Sequence, residues 1–322
     1  MNPRVSIVMP AFQAERTIAG AISSVLRQTY RELELVVVDD GSSDATAEVV
    51  RAHRGPIRLV HQENRGVAAA RNRGISEATG ELIAFCDADD FLFDKHIAAL
   101  VATYERHDGR LATANSYWLL PGGIDASKKR YKGRFPAPAR QRMSILEQNF
   151  VSTMSIFPRG LVDEIGPFNE QKSRAEDWDF WLRAIFAGYR VALQSVPLAL
   201  YRWGDTGLSA DRDAMDAEVE TILDGVEERY ELTDEERSYL SRRRAGLGPR
   251  KAGRTADDAL RAGRYREAAR YYNEAASLCP SERRLVWKAR TIRLAPRLTG
   301  PLVRARQLRI ERALGLGPDH VR

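Results

Sequence analysis

Cysteine is almost missing from this sequence. Cys86 and Cys279 are the only two in 322 residues, too few for a disulfide framework and lacking the paired spacing of a zinc site. Histidine is scarce too: there are five, with none between His107 and His320. No apolar run is long enough to span a bilayer. The opening stretch, MNPRVSIVMPAF, lacks a cationic start, a longer apolar core and a small-residue cleavage site, so no secretory signal is read there. These absences exclude membrane-spanning and disulfide-stapled classes and make the cytoplasm the default expectation. The length suits one generous α/β domain with a smaller one beside it.

What is present is charge, unevenly distributed. Lys and Arg total 50 and Asp and Glu 44, a net of +6. Residues 236–322 hold 22 basic and 8 acidic side chains, a net of +14, which leaves 28 and 36, a net of −8, for residues 1–235. Two regions of opposite sign imply two different jobs.

Up to about residue 120, short β-type runs alternate with helical patterns, the signature of a parallel sheet covered by helices. Strands are expected at Val5–Met9, Leu33–Val38, Ile57–Val60 and Leu82–Cys86, with helices over Ile18–Gln28 and Val67–Ala78. Three of the strands run out into polar or acidic residues, and in open α/β sheets that edge is where ligands bind. Residues 111–157 show few clear periods, a helical stretch follows at Glu176–Gly188, and an apolar run, VALQSVPLALYRW, comes after it.

The informative stretch is GELIAFCDADDFL, Gly80 to Leu92. A buried-type strand runs straight into Asp87, Asp89 and Asp90, where each charge costs desolvation energy unless something compensates it. A D-x-D at a strand end suits a divalent cation bridged to phosphate oxygens and water. The plain alternative is a solvated turn in which Asp94 caps the helix that follows.

Three blocks decide between them: SIVMPAFQAERTIAGAISSVLRQTYRELELVVVDDGSSDAT, RGVAAARNRGISEATGELIAFCDADD and AEDWDFWLRA. In that order they resemble the successive blocks of family 2 glycosyltransferases, over roughly residues 4–205. The resemblance implies the GT-A fold, a Rossmann-like mixed sheet with flanking helices, over residues 1–210, with a nucleotide-binding half, 1–110, and an acceptor-binding half, 111–210. It implies inverting transfer from a nucleoside diphosphate sugar to a hydroxyl acceptor, a glycan or lipid-linked glycan, with Mn²⁺ or Mg²⁺ as cofactor. The setting it suggests is cell-surface polysaccharide or glycan assembly, with the protein in the cytoplasm or peripheral on the inner membrane face.

Carried over residue by residue, the resemblance puts Pro10, Ala11, Phe12 and Glu15 in the nucleotide pocket. Asp39 or Asp40 would accept a hydrogen bond from the base, which suits uracil or thymine because an ionised carboxylate only accepts. Arg71 would reach the nucleotide or its phosphates. Asp87, with Ala88 beside it, would hold the ribose or share the metal, and Asp89 would ligate the metal. Glu176 and Trp178 would face the acceptor, and Asp177 would be the general base. On the residues alone, Glu176 and Asp177 equally suit a first helical turn, whereas Trp178 reads as a core residue and Arg71 as a solvated helix residue. Two departures stand out: Trp203-Gly204-Asp205 carries no histidine where many relatives have one, and Gln13 and Glu15 replace the commoner asparagine.

The rivals are a D-x-D phosphohydrolase, which lacks its usual small residue after the pair and a lysine loop, and a catalytically silent nucleotide-sugar-fold scaffold, against which Asp87, Asp89 and Asp177 stand together. Residues 211–322 read as a basic helical region. Within it, residues 250–280, with Gly263, Tyr265, Ala268, Tyr272, Ala275 and Pro280, have tetratricopeptide-like spacing. One such pair needs something to pack on, either the catalytic domain or a partner. Beyond it, arginines interleaved with Leu, Val, Ile and Trp287 suit an anionic membrane surface or a solvated bundle. No nucleic-acid motif accompanies the charge.

Overall fold

The structure is a computed structural model, which describes residues 2–107, 111–120, 122–203, 211–245, 248–280, 283–294, 301–306 and 308–309. It divides into two compact units, Met1–Asp211 and Arg212–Arg322.

The first unit is built on a seven-stranded sheet. Its strands are β1 (Val5–Ala11), β2 (Leu33–Asp40), β3 (Ile57–Gln62), β4 (Leu82–Phe85), β6 (Leu111–Ala114), β9 (Ser155–Pro158) and β10 (Val191–Gln194). A four-stranded sheet holds β5 (Phe91–Leu92), β7 (Tyr117–Leu120), β8 (Gly123–Lys129) and β11 (Ala199–Arg202). The large sheet runs β10-β6-β9-β4-β1-β2-β3, and β9 is antiparallel to both neighbours while the other pairs are parallel. Hence the less regular stretch after residue 111 holds three strands of four residues, β6, β7 and β9, each too short to show a period, besides the longer and polar β8.

β1 and β4 are buried at every position, as central parallel strands require. Helices cover the sheet: α1 (Ile18–Leu26), α2 (Thr46–Ala52), α3 (Val67–Glu77), α4 (His96–Arg106), α5 (Gln141–Glu147), α6 (Leu161–Ile165) and α7 (Glu176–Phe186). α3 lies close on β1 because Gly74 faces Val8: a Cβ there would sit 2.2 Å from Val8 Cγ1. That contact fixes the height of Arg71, one turn earlier, at the carboxyl edge of the sheet. Asp94 does not cap the following helix. α4 starts at His96, its N-cap residue Lys95 makes no side-chain cap bond, and Gln28 Oε1 instead accepts from the Ile97 N–H at 3.0 Å.

The second unit is helical: α8 (Arg212–Asp224), α9 (Val226–Arg229), α10 (Asp234–Arg244), α11 (Pro249–Arg261), α12 (Tyr265–Leu278) and α13 (Arg283–Leu294). Gly263, at φ +75°, turns the chain between α11 and α12. Ala256, Ala259 and Leu260 meet Ala268 and Tyr272, and Ala289 and Ile292 of α13 complete that core. Small residues along both helices allow the close approach, and α13 gives the pair a surface to pack on.

Candidate active site

The parallel register lines up the strand ends, setting Ala11 beside Asp39 and Asp39 beside His61. Pro10 and Ala11 are buried, whereas Phe12 emerges 50% exposed. Gln13 then takes a left-handed conformation, φ 50°. Its backbone N–H donates to Ser42 Oγ at 3.0 Å, and its Oε1 accepts from the N–H groups of Ser43 and Asp44 at 3.3 and 3.2 Å. Glu15 accepts from the Ala45 N–H at 3.1 Å. Gln13 and Glu15 therefore stitch the loop after β1 to the loop after β2.

Asp39 accepts from the Ser42 N–H at 3.1 Å and from His61 Nδ1–H at 2.9 Å. Asp40 accepts from Gln62 Nε2 at 2.7 Å and from the N–H groups of Arg65 and Gly66 at 3.0 and 2.8 Å. Gly66, at φ +89°, opens α3, so Asp40 anchors the chain that delivers Arg71. Both carboxylates are buried with both oxygens engaged, and because a carboxylate offers about four acceptor sites each keeps room for one more donor.

Arg71 is the hub. It is 3% exposed, and its two terminal nitrogens donate to different carboxylates: Nη1 to Glu176 Oε1, and Nη2 to Asp87 Oδ1 at 3.0 Å. The rings of Phe85 and Phe168 lie 5.5 and 5.7 Å from the guanidinium carbon. Burial works against its charge, but Asp87, Glu176 and Asp177 overcome that and hold the proton more tightly than usual. The solvated-face reading of Arg71 is thereby replaced by a buried bridge between the end of β4 and the start of α7.

Beyond Asp87 the charges crowd. Burial, then the Asp87 charge, push the Asp89 carboxyl up to about 6. Asp90 is buried and pushed well above the carboxylate range by burial, Asp87 and Asp89. Its Oδ1 accepts from the Arg202 N–H at 2.8 Å, which ties it to β11. That leaves Asp87 and Asp89 as the carboxylates available to a cation, and an arriving positive charge would relieve their repulsion. Among the described residues no group of three or more His, Cys, Asp or Glu forms a ready-made cation cage. Such a pair fits a cation that takes its remaining oxygens from phosphate and water.

α7 opens after Ala175, the second non-glycine residue in the left-handed region, φ 52°. Gln13 and Ala175, the two such residues among the described ones, both flank this site, where backbone strain tends to collect. Burial pushes the Glu176 carboxyl up, Arg71 pulls it back, and Asp177 adds to the push. Asp177 is half-buried. Its Oδ2 accepts from Asn149 Nδ2 at 2.9 Å and its Oδ1 from the Trp178 N–H at 2.8 Å. Asn149 orients this carboxylate, yet no motif in the sequence marks it.

Trp178 corrects the expectation of an acceptor contact. It is 2% exposed, and its indole N–H donates to the Ile145 carbonyl at 2.7 Å, so it joins the core between α5 and α7. Glu176, 7% exposed and committed to Arg71, likewise supports the site from behind rather than facing an acceptor. Asp205 lies outside the described residues.

Residues 6–166 match the family model described as glycosyl transferase family 2. The chain is 28% identical over 238 residues to the uncharacterised glycosyltransferase YwdF of Bacillus subtilis, a match covering 71% of this chain and 85% of that one. Its fold is similar to that of S. aureus TarS 1–349 in complex with UDP-GlcNAc, with a TM-score of 0.61 at 18% identity over 91% of each chain. It is also similar to the mannosyltransferase PcManGT from Pyrobaculum calidifontis in complex with GDP-Man and Mn²⁺. There the TM-score is 0.60 at 19% identity, over 95% of this chain and 85% of that one. At such identities the two structures speak to the GT-A fold alone. With strand-end carboxylates and an acidic helix start joined by one buried arginine, and with half of its length matching the family model, the chain belongs to glycosyl transferase family 2.

Proposed function

We propose that this glycosyltransferase works by inversion with a divalent metal, moving a sugar from a uridine or thymidine diphosphate donor to a hydroxyl acceptor in cell-surface glycan assembly. The observation that carries the reading is the Arg71 bridge, which draws Asp87 of the D-x-D and Glu176, next to Asp177, onto one guanidinium. The donor then lies over the ends of β1, β2 and β4, with the base against Phe12 and the sugar between Asp89 and Asp177. Pro10, Ala11 and Ala88 form the floor of that pocket, and Glu15, Asp39 and Asp40 hold its walls.

Inversion is a single in-line displacement. Asp177, fixed by Asn149 and the Trp178 N–H, takes the proton of the acceptor hydroxyl as its oxygen bonds to the anomeric carbon. The bond from that carbon to the diphosphate breaks on the opposite side. Mn²⁺ or Mg²⁺ on Asp87 and Asp89 would supply charge neutralisation to the leaving diphosphate. Calorimetry with UDP, dTDP, GDP and CDP tests the donor class: UDP or dTDP should bind, and binding of GDP or CDP alone, or of none, would contradict it.

The same reading gives the basic C-terminal region an anionic membrane surface as its partner, which suits a lipid-linked acceptor. Trp287 is 42% and Leu302 72% exposed, and the Arg306 guanidinium carbon sits 4.7 Å from the Trp287 ring centroid. Among the described residues no helix is long and apolar enough to cross a membrane, so contact would be interfacial. The full chain should sediment with phosphatidylglycerol vesicles at low salt, and Trp287→Ser with Leu302→Ser should cut the bound fraction severalfold. Equal sedimentation of both proteins would retire the idea.

A further inference from the structure

Arg130, immediately after β8, is an arginine with an unusual set of partners. The other deeply set arginines, Arg71, Arg183 and Arg243, all donate to carboxylates. Arg130 does not: among the described residues its Nη2 donates to the Val151 carbonyl at 3.2 Å and its Nε to the Tyr131 hydroxyl at 3.4 Å. Its remaining nitrogen, Nη1, has no hydrogen-bond partner among the described residues and is not sealed from solvent.

Its surroundings face the reaction centre. The guanidinium carbon stands 5.8 Å from the Tyr131 ring centroid and 5.9 Å from that of Tyr201. Tyr201, on β11, pairs in register with Trp118 of β7, and their rings meet edge-on at 5.9 Å. The Tyr201 hydroxyl donates to nothing among the described residues, yet it lies within electrostatic reach of Asp87, Asp90, Asp177 and Arg130 together. Burial works against the Arg130 charge, while Tyr131, Tyr201 and Asp177 offset it. A half-buried cation without a carboxylate, beside a hydroxyl with a free proton, is an arrangement that an incoming anion completes.

We propose that Arg130 and the Tyr201 hydroxyl form an anion subsite beside Asp177 that takes a phosphate group of one of the two reactants. The proposal rests on the reading of Asp177 as the base of a glycosyl transfer, since that puts the subsite at the transfer point. The phosphate has two sources, the donor diphosphate or a phosphate carried by the acceptor, and both present the same oxygens to the guanidinium.

Calorimetry on the full-length protein separates them, using wild type, Arg130→Met, Arg130→Lys and Tyr201→Phe. The ligands are the nucleoside diphosphate that wild type binds, the matching monophosphate, and inorganic phosphate with and without nucleotide. If the donor's phosphate sits there, Arg130→Met weakens diphosphate binding by at least about tenfold and monophosphate binding far less, and Arg130→Lys recovers part of the loss. If the acceptor's does, diphosphate affinity holds in every variant, while the inorganic phosphate bound by wild type is lost in Arg130→Met. Wild-type affinities in both arms for Arg130→Met would overturn the subsite. Should Arg130→Met fail to fold without its Val151 contact, Arg130→Lys and Tyr201→Phe decide: unchanged affinities in both would again overturn it. Phosphate binding through Arg130 without any nucleotide binding would instead overturn the donor reading and leave the subsite standing.

Discussion

Asp177→Asn is expected to cut sugar transfer by about 10²–10⁴-fold, the usual worth of a positioned general base, with nucleoside diphosphate affinity nearly unchanged. The amide is the same size as the carboxylate but takes no proton. Its effect on folding is also defined by the contacts. In the native protein both Asp177 oxygens accept, one from Asn149 Nδ2 and the other from the Trp178 N–H. An asparagine offers one acceptor and one donor, so one of those two N–H groups must lose its partner. Asn149 cannot flip to compensate without cost, because its Oδ1 already accepts from the Val151 N–H at 3.1 Å. The variant should therefore lose about 1–2 kcal/mol of stability and remain folded. Rates and nucleotide titrations on the same preparation give the answer, and near wild-type transfer would remove Asp177 from the base role.

Arg71→Met should have the largest effect on the fold. Removing one partner of a buried ion pair typically costs about 3–5 kcal/mol, because the carboxylate left behind is uncompensated. Arg71 compensates two, Asp87 and Glu176. It also packs beside the Phe85 and Phe168 rings, which meet each other edge-on, and methionine retains part of that packing. Neutralising a stranded carboxylate should recover some of the loss, so Glu176→Gln is expected to cost less in the Arg71→Met background than in wild type. Denaturant titrations of the four proteins form the double-mutant cycle. A loss below about 1 kcal/mol for Arg71→Met would mean that water, not the guanidinium, solvates the two acids.

These two residues mark how far the sequence is legible. Asp177 and Asp87 lie in short motifs with characteristic neighbours, and the strand before Asp87 announces itself as an apolar run. Arg71 bonds both Asp87, 16 residues on, and Glu176, 105 residues on, and nothing local encodes that link. Trp178 was ambiguous for a related reason. An aromatic residue at a helix start can serve a core or a sugar until the Ile145 carbonyl is seen to take its N–H. The acidity of Asp39 and Asp40 is visible in the sequence, whereas the backbone donors of the loops after β2 and β3 that hold them in place are not. The second sheet was the least readable part. Its strands β5, β7 and β11 are two to four residues long, and its meaning lies in bringing Arg130 and Tyr201 to the same point.

On the proposed function, a cation and a diphosphate are what make Asp87 and Asp89 tolerable at the end of β4. Calorimetric titration of the preferred nucleoside diphosphate, with Mn²⁺ and with EDTA, on wild type and Asp89→Ala, tests it most directly. Binding should require Mn²⁺ and fall at least about tenfold in the variant. Binding of equal strength in EDTA, or in Asp89→Ala, would contradict it.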